Sequence, residues 1–356
     1  MPRTTRAVCA ALATLALSVS GCGTTAPQDQ AARTSAKVAP GAAQSRPTAA
    51  KAAASQVTRV LAVSIDGLRS SAITQLGRAG TPTLHRLMAQ GASTLNARTE
   101  REMTVTLPNH TGMVTGRRIL ASKGGHAVTW NDDRLRPRTV QQAAGHDVSS
   151  VFRVVHGANR GASLFASKTK FSLFERSWDA GIDRYRMRFD NALLTRMTRS
   201  DLVQHNRGFT FLHLSAPDDA GHARGWGSPT YLDAVRATDR RLGQIVRTIN
   251  AHGRLSKHLA MIVTADHGGS GKSHGAASRL INYRVPFLVW GPTVARGAGL
   301  YALNRDYANP GSRRTSYSDA RQPVRNGDVA NLALDLLGLG AVPGSEHDRA
   351  QDLDWN

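Results

Sequence analysis

VTRVLAVSIDG, residues 57–67, decides the fold. A continuous apolar run rich in β-branched residues, closed by Asp66-Gly67, predicts a strand buried on both faces. The same pattern recurs along the chain. FTFLHL (209–214) runs into Pro217-Asp218, and LAMIVTA (259–265) runs into Asp266-His267. Val148–Val155 and Val285–Trp290 predict two further strands. Helices are expected between them. One opens at Thr81-Pro82 and stops at Gly91; a long one opens at Ser228-Pro229 and reaches about Asn250; a late one, Asp328–Leu337, closes on Gly338. Buried strands alternating with helices predict an α/β fold, a mostly parallel central sheet with helices on both faces. In such sheets ligands gather at the carboxyl ends of the strands, which is where Asp66, Asp218, Asp266 and His267 fall.

The residues at those ends have the chemistry of metal ligands. Asp218 and His222 are spaced i, i+4, one face of a helical turn, with Asp219 as a competitor for the ligand role. Asp266-His267 precedes Gly268-Gly269, which lets the backbone turn closely, and His274 follows within the same short ADHGGSGKSHG segment. Three Asp and three His suit two divalent ions, zinc first, with Mn²⁺ or Fe²⁺ as alternatives. Two such ions clamp the attacking and leaving oxygens of an in-line displacement. Thr106, in TVTLPNH (104–110), stands where Pro108 predicts a helix start, so its hydroxyl is either a simple N-cap or a nucleophile activated by an adjacent metal. Lys168 and Lys170 are expected to face solvent, and Trp226 to shape the rim of the pocket.

IDG (65–67), TLPNHTGMVTG (106–116), PDDAGH (217–222) and TADHGG (264–269) resemble, in order and in combination, the type I phosphodiesterase / nucleotide pyrophosphatase family of the alkaline phosphatase superfamily. The resemblance runs from about residue 58 to the C-terminus. It implies that Thr106 is the nucleophile and passes through a phosphothreonine intermediate. It implies that Asp66, Asp266 and His267 hold the ion beside Thr106, and that Asp218 and His222 hold the second. The family's last His lies far downstream, which brings His347 forward as a rival to His274 for the sixth ligand. Asn131, in HAVTWN (126–131), resembles the family's His-Gly-x-x-x-Asn segment, with Ala127 in place of the Gly; it is expected to donate to a nonbridging phosphoryl oxygen. The function implied is metal-dependent hydrolysis of phosphodiester or phosphoanhydride bonds. A phosphomonoesterase or a phosphotransferase of the same superfamily is the alternative, and a non-catalytic metal- or anion-binding surface protein is a third reading. A sulfatase is set aside because Thr106 is followed by Leu-Pro-Asn, outside a Cys/Ser-x-Pro-x-Arg context.

The rest of the chain supplies context. Arg3 and Arg6 precede an apolar run, Ala7–Val19, and then Val-Ser-Gly-Cys ends at Cys22; residues 1–22 thus resemble a lipoprotein signal, with a lipidated Cys22 anchoring the protein to the outside of a bacterial membrane, the alternative being an ordinary secretory signal and a secreted protein. Residues 23–56, rich in Ala, Thr, Ser, Gln and Pro, are expected to be a disordered tether, leaving 57–356 as one catalytic domain. The two cysteines, Cys9 and Cys22, both precede that domain, which excludes a disulfide or a cysteine nucleophile within it. A net charge of +21 favours an anionic partner, here a phosphate-ester substrate, and no sequence-specific nucleic-acid module is present.

Overall fold

The computed structural model describes residues 56–356; the expected signal (1–22) and all but the last residue of the expected tether (23–56) lie outside the described residues. Eight strands form one sheet: β1 (Arg59–Ile65), β2 (Ala92–Arg98), β3 (Gly161–Ala166), β4 (Arg184–Met187), β5 (Arg207–Leu214), β6 (Leu259–Thr264), β7 (Arg284–Trp290) and β8 (Ala298–Gly299). Their order is β4-β3-β5-β1-β6-β7-β2-β8. Strand β7 pairs antiparallel with both neighbours, and every other pairing is parallel. Every residue of β1 and β6 is buried, so both faces of the sheet are covered at its centre. This is the mostly parallel α/β sheet that the sequence pattern predicts and that the resemblance to the alkaline phosphatase superfamily implies.

The main helices are α1 (Ser70–Gly80), α2 (Pro82–Gln90), α3 (Thr106–Thr115), α4 (Val151–Gly157), α5 (Asn191–Gln204), α6 (Ala216–Arg224), α7 (Pro229–Ala251) and α8 (Val329–Leu336). Helix α7 begins as expected, Ser228 Oγ accepting the Tyr231 N–H, and buries Val235, Leu242, Ile245 and Ile249. The reading of Val148–Val155 as a strand is corrected: Ser150 caps α4 by accepting the Arg153 N–H, and Val151, Phe152 and Val155 form one buried helical face. The strand lies further on, at β3, and its carboxyl end proves important below.

Helix α2 passes directly into β2 at Gly91. A Cβ placed on Gly91 would lie 2.1 Å from the carbonyl oxygen of Val289 in β7. That oxygen belongs to the pairing of Ala92 with Val289, so neither backbone can yield without disturbing the sheet. Gly91→Ala is therefore expected to lower unfolding free energy by about 1–3 kcal/mol, the usual effect of overpacking, in urea titrations. An unchanged midpoint would show that the close approach is not binding.

Candidate active site and metal centre

Strands β5, β1 and β6 are neighbours, so their carboxyl ends deliver Asp218, Asp66 and Asp266-His267 to one place. Asp66 follows Ile65, Asp266 follows the β6 terminus, and Asp218 lies in the first turn of α6. Asp66, Asp266, His267 and Thr106 are almost wholly removed from solvent.

One oxygen of each carboxylate is held by the protein. Asp66 Oδ2 accepts from Lys168 Nζ at 2.6 Å and from His213 Nε2 at 3.0 Å. Asp218 Oδ2 accepts from the same Lys168 Nζ at 2.6 Å. Asp266 Oδ1 accepts the N–H groups of Gly67 and His267 at 3.1 and 2.9 Å. The other oxygens, Asp66 Oδ1, Asp218 Oδ1 and Asp266 Oδ2, are buried and have no hydrogen-bond donor.

The histidines facing them are oriented from behind. Nδ1 of His267 donates to the Gly268 carbonyl (2.8 Å), Nδ1 of His222 to the Lys272 carbonyl (3.1 Å), and Nδ1 of His274 to the Thr104 carbonyl. The proton position is assigned from those carbonyls, which leaves each Nε2 as a lone pair turned into the site. His267 Nε2 lies 3.4 Å from Asp66 Oδ1 and 3.2 Å from Asp266 Oδ2. His222 Nε2 lies 3.5 Å from Asp218 Oδ1 and 3.1 Å from His274 Nε2, with His274 Nε2 3.9 Å from Asp218 Oδ1. Ligand atoms about 2.0–2.1 Å from one tetrahedral ion lie about 3.3 Å apart. The contacts of 3.1–3.5 Å match that spacing, and the 3.9 Å pair is wider; His267 Nε2 also lies 4.0 Å from Asp218 Oδ1, so His267 groups with Asp218 and His274 as well as with Asp66 and Asp266. Lone pairs facing lone pairs, with the opposite atoms already satisfied, fit divalent cations.

The electrostatics agree. Burial and the charges of Asp66 and Asp218 push the Asp266 carboxyl well above the usual carboxylate range, and burial with Asp66 raises Asp218 to about 6. Burial would raise Asp66 too, but Lys168 and His213 hold it well below the usual range. A single ammonium does not offset three carboxylates. Burial also keeps His267 and His274 below the ordinary imidazole value, so both are neutral donors.

Thr106 is the first residue of α3, so it is not the N-cap; that position is Val105, which makes no side-chain cap bond. Its Oγ1 lies 3.5 Å from His267 Nε2. The helix start offers few free donors, because the Leu107 N–H donates to Asn131 Oδ1 (2.9 Å), Pro108 has none, and the Asn109 N–H donates to the Val105 carbonyl. Asn131 Oδ1 also accepts from Lys170 Nζ at 3.1 Å, which leaves Nδ2 of Asn131 available as a donor. Ala127 adopts φ 61°, the left-handed backbone for which glycine is better suited.

Some expectations change. Lys168 and Lys170 do not point to solvent but bind Asp66, Asp218 and Asn131. Trp226 is buried rather than at a rim, donating Nε1–H to the Gly67 carbonyl. Cβ atoms on Gly221 and Gly269 would come within 2.5 and 2.3 Å of its ring, so both glycines are needed for it to underlie the site. Asp219 accepts from Ser215 instead of joining the cluster. His347 is buried against Glu100 at 3.0 Å, away from the cluster, whereas His274 Nε2 lies 3.1 Å from His222 Nε2 and 3.9 Å from Asp218 Oδ1. His213 and His110, the latter 3.5 Å from Asp266 Oδ2, are supporting residues that sequence reasoning missed. A histidine inside an otherwise apolar strand, as in FTFLHL, was the available signal for His213.

The type I phosphodiesterase / nucleotide pyrophosphatase family model matches residues 60–123 and 121–353. The chain belongs to that family. GPI ethanolamine phosphate transferase 1 of Yarrowia lipolytica is 28% identical over 151 residues, 41% of this chain and 16% of the relative, so the match covers about a sixth of that protein. Murine ectonucleotide pyrophosphatase / phosphodiesterase 5 superposes with a TM-score of 0.60 at 16% identity, covering 80% of this chain and 96% of that one. A 2-O GAG sulfatase gives a TM-score of 0.56 at 11% identity, covering 82% and 73%. The fold is that of the alkaline phosphatase superfamily, and the family is one of phosphoryl transfer and hydrolysis whose members use divalent metals. The expectation of a bacterial, lipid-anchored protein is corrected: the curated relatives are eukaryotic GPI ethanolamine phosphate transferases, not bacterial lipoproteins.

Metal analysis of the purified protein is expected to give about two divalent ions per chain. His274→Ala should lose about one of them and His347→Ala neither; the reverse pattern would return the sixth ligand to His347. His347 has a separate pH signature. Burial opposes its charge, but Glu100 prevails and raises its pKa above the ordinary imidazole value. A raised histidine pKa stabilises fully below the unfolded value, about 6.5, and the gain is lost as pH rises through the folded value. The stability difference between wild type and His347→Gln should therefore be largest at about pH 6 and shrink toward alkaline pH. A difference that grows with pH would contradict the pairing.

Proposed function

We propose that this chain cleaves phosphodiesters with Thr106 as nucleophile and passes the resulting phosphoryl-bearing group to an alcohol, with water as the competing acceptor. The observation that carries the reading is the position of the Thr106 hydroxyl, 3.5 Å from His267 Nε2, beside two groups of metal-ligand type, Asp66–Asp266–His267 and Asp218–His267–His274, with His222 Nε2 3.1 Å from His274 Nε2. Asp66, Asp266 and His267 would hold one ion, and Asp218, His222 and His274 the other. Zinc suits this mixed donor set best, with Mn²⁺ or Fe²⁺ next. Bound there, such ions would lower the hydroxyl pKa and offset charge on the phosphoryl oxygens.

The chain's own groups then divide the work. Thr106 Oγ1 attacks phosphorus while the bond to the leaving alcohol breaks in line. Asn131 Nδ2 donates to a nonbridging oxygen, its orientation fixed by Leu107 N–H and Lys170. Lys168 anchors Asp66 and Asp218, holding their free oxygens in register. In the second half the acceptor oxygen bonds to phosphorus and Thr106 leaves. The name of the curated relatives supports transfer as the fate of the intermediate; the family description supports hydrolysis as the second reading.

Both halves are measurable with bis(p-nitrophenyl) phosphate and the zinc-loaded protein. Thr106→Ala should lower turnover at least about 10³-fold without metal loss. Adding ethanolamine or glycerol should yield a new phosphodiester, detected by phosphorus NMR, at the expense of the hydrolysis product. Hydrolysis product alone at every acceptor concentration would replace transfer by the hydrolase reading. Undiminished turnover by Thr106→Ala would remove the covalent mechanism.

A further inference from the structure

The loop that carries Asn131 continues as Asp132-Asp133-Arg134-Leu135-Arg136-Pro137-Arg138. It is tied at two points to the segment that brings Lys168 into the site. Lys170 Nζ donates to the Asn131 carbonyl at 2.6 Å, and Thr169 Oγ1 donates to Asp133 Oδ2 at 3.0 Å. Beyond those ties the loop walls a groove of about 1000 Å³ lined by Leu135, Arg136, Pro137, Arg138, Gln142 and Arg176. Half of the lining residues are arginines, and none is acidic.

The arginines differ from their neighbour. Arg134 is consumed by Asp132, with contacts of 2.7 and 2.6 Å. Among the described residues no carboxylate forms an ion pair with Arg136, Arg138 or Arg176. Arg176 is built into place: its Nε donates to the Arg138 carbonyl at 2.9 Å and its Nη1 to Ser172 Oγ at 2.7 Å. Burial and then the charge of Arg138 lower its pKa, and the neighbouring Glu175 offsets only part of that. Arg136 and Arg138 are exposed, and their side chains are free to close on a ligand. Like charges held together without a counter-ion attract an anion, and guanidinium forks match phosphate oxygens.

The geometry points to a subsite for a second phosphate group of the substrate, seated in the Arg136–Arg138–Arg176 groove while the scissile phosphodiester lies against Thr106 and Asn131. This inference rests on the phosphodiester reading of the main site and adds the substrate class: diesters that carry a further phosphate. It also bounds the spacing. Arg136 is five residues from Asn131, so chain reach limits their separation to about 18 Å. The linker between the two phosphates is taken to span no more than a distance of that order.

The test compares two soluble p-nitrophenyl phosphodiesters that differ only in a terminal phosphate on a short alkyl arm, using the zinc-loaded protein. The phosphate-bearing diester should show kcat/KM higher by about tenfold or more, residing in KM. Arg136→Gln with Arg138→Gln should erase that advantage and leave bis(p-nitrophenyl) phosphate turnover unchanged. A retained advantage, or an equal fall for both diesters, overturns the subsite. Loss of binding to anionic phosphatidylglycerol vesicles with the soluble-substrate ratio unchanged also overturns it, in favour of a membrane contact. Calorimetry of the same diesters with zinc-loaded Thr106→Ala keeps the two readings apart. A tenfold difference in Kd that vanishes in the arginine variant supports the groove even if no diester is turned over, and its absence there overturns the groove even if turnover is robust.

Discussion

Acceptor atoms converge on one point without donors to satisfy them, and much of the molecule is arranged around that conflict. Asp66 Oδ1, Asp218 Oδ1 and Asp266 Oδ2 are buried without a hydrogen-bond donor, and the lone pairs of His222, His267 and His274 face them. In a low-dielectric interior this arrangement repels itself unless positive charge is supplied. Lys168 supplies part of it, binding the far oxygens of Asp66 and Asp218. The raised Asp266 and Asp218 pKa values register what one ammonium leaves uncompensated.

The fold tolerates the conflict because it is carried by rigid elements. Three adjacent parallel strands bring the carboxylates to one edge, and backbone carbonyls of Gly268, Lys272 and Thr104 fix the imidazoles. Trp226 forms a floor, edge-on to His222 and His274 and hydrogen-bonded to Gly67. Asn326 Nδ2 braces the opposite side through the Ala265 and Asp266 carbonyls. A site that needs ligand atoms placed to a few tenths of an ångström benefits from such supports.

Most of this cluster was legible in the sequence because each of its carboxylates sits at a junction with local punctuation. Asp66-Gly67, Pro217-Asp218 and Asp266-His267-Gly268-Gly269 all follow apolar runs, and strand ends in a parallel sheet share one edge. The lysines were not legible, for a specific reason. Val148–Val155 satisfies strand and helix patterns alike, so its sequence competes with Gly161–Ala166 for the one strand in this stretch. Ser167-Lys168 then had no strand end to belong to and looked like surface. His213 was hidden differently: its register opposite Ser64 of β1 turns a polar group inward from an apolar strand, and pairing register is a long-range property.

Thr106 links this architecture to chemistry, and its covalent participation is the central claim. It is tested most directly by mixing the zinc-loaded protein with bis(p-nitrophenyl) phosphate, quenching in acid within the first turnover, and mapping the modified peptide by mass spectrometry. The account predicts a p-nitrophenyl phosphoryl group on Thr106, appearing and decaying at the rate of turnover. Product release with Thr106 unmodified at every time, or a phosphoryl group on another residue, would contradict it.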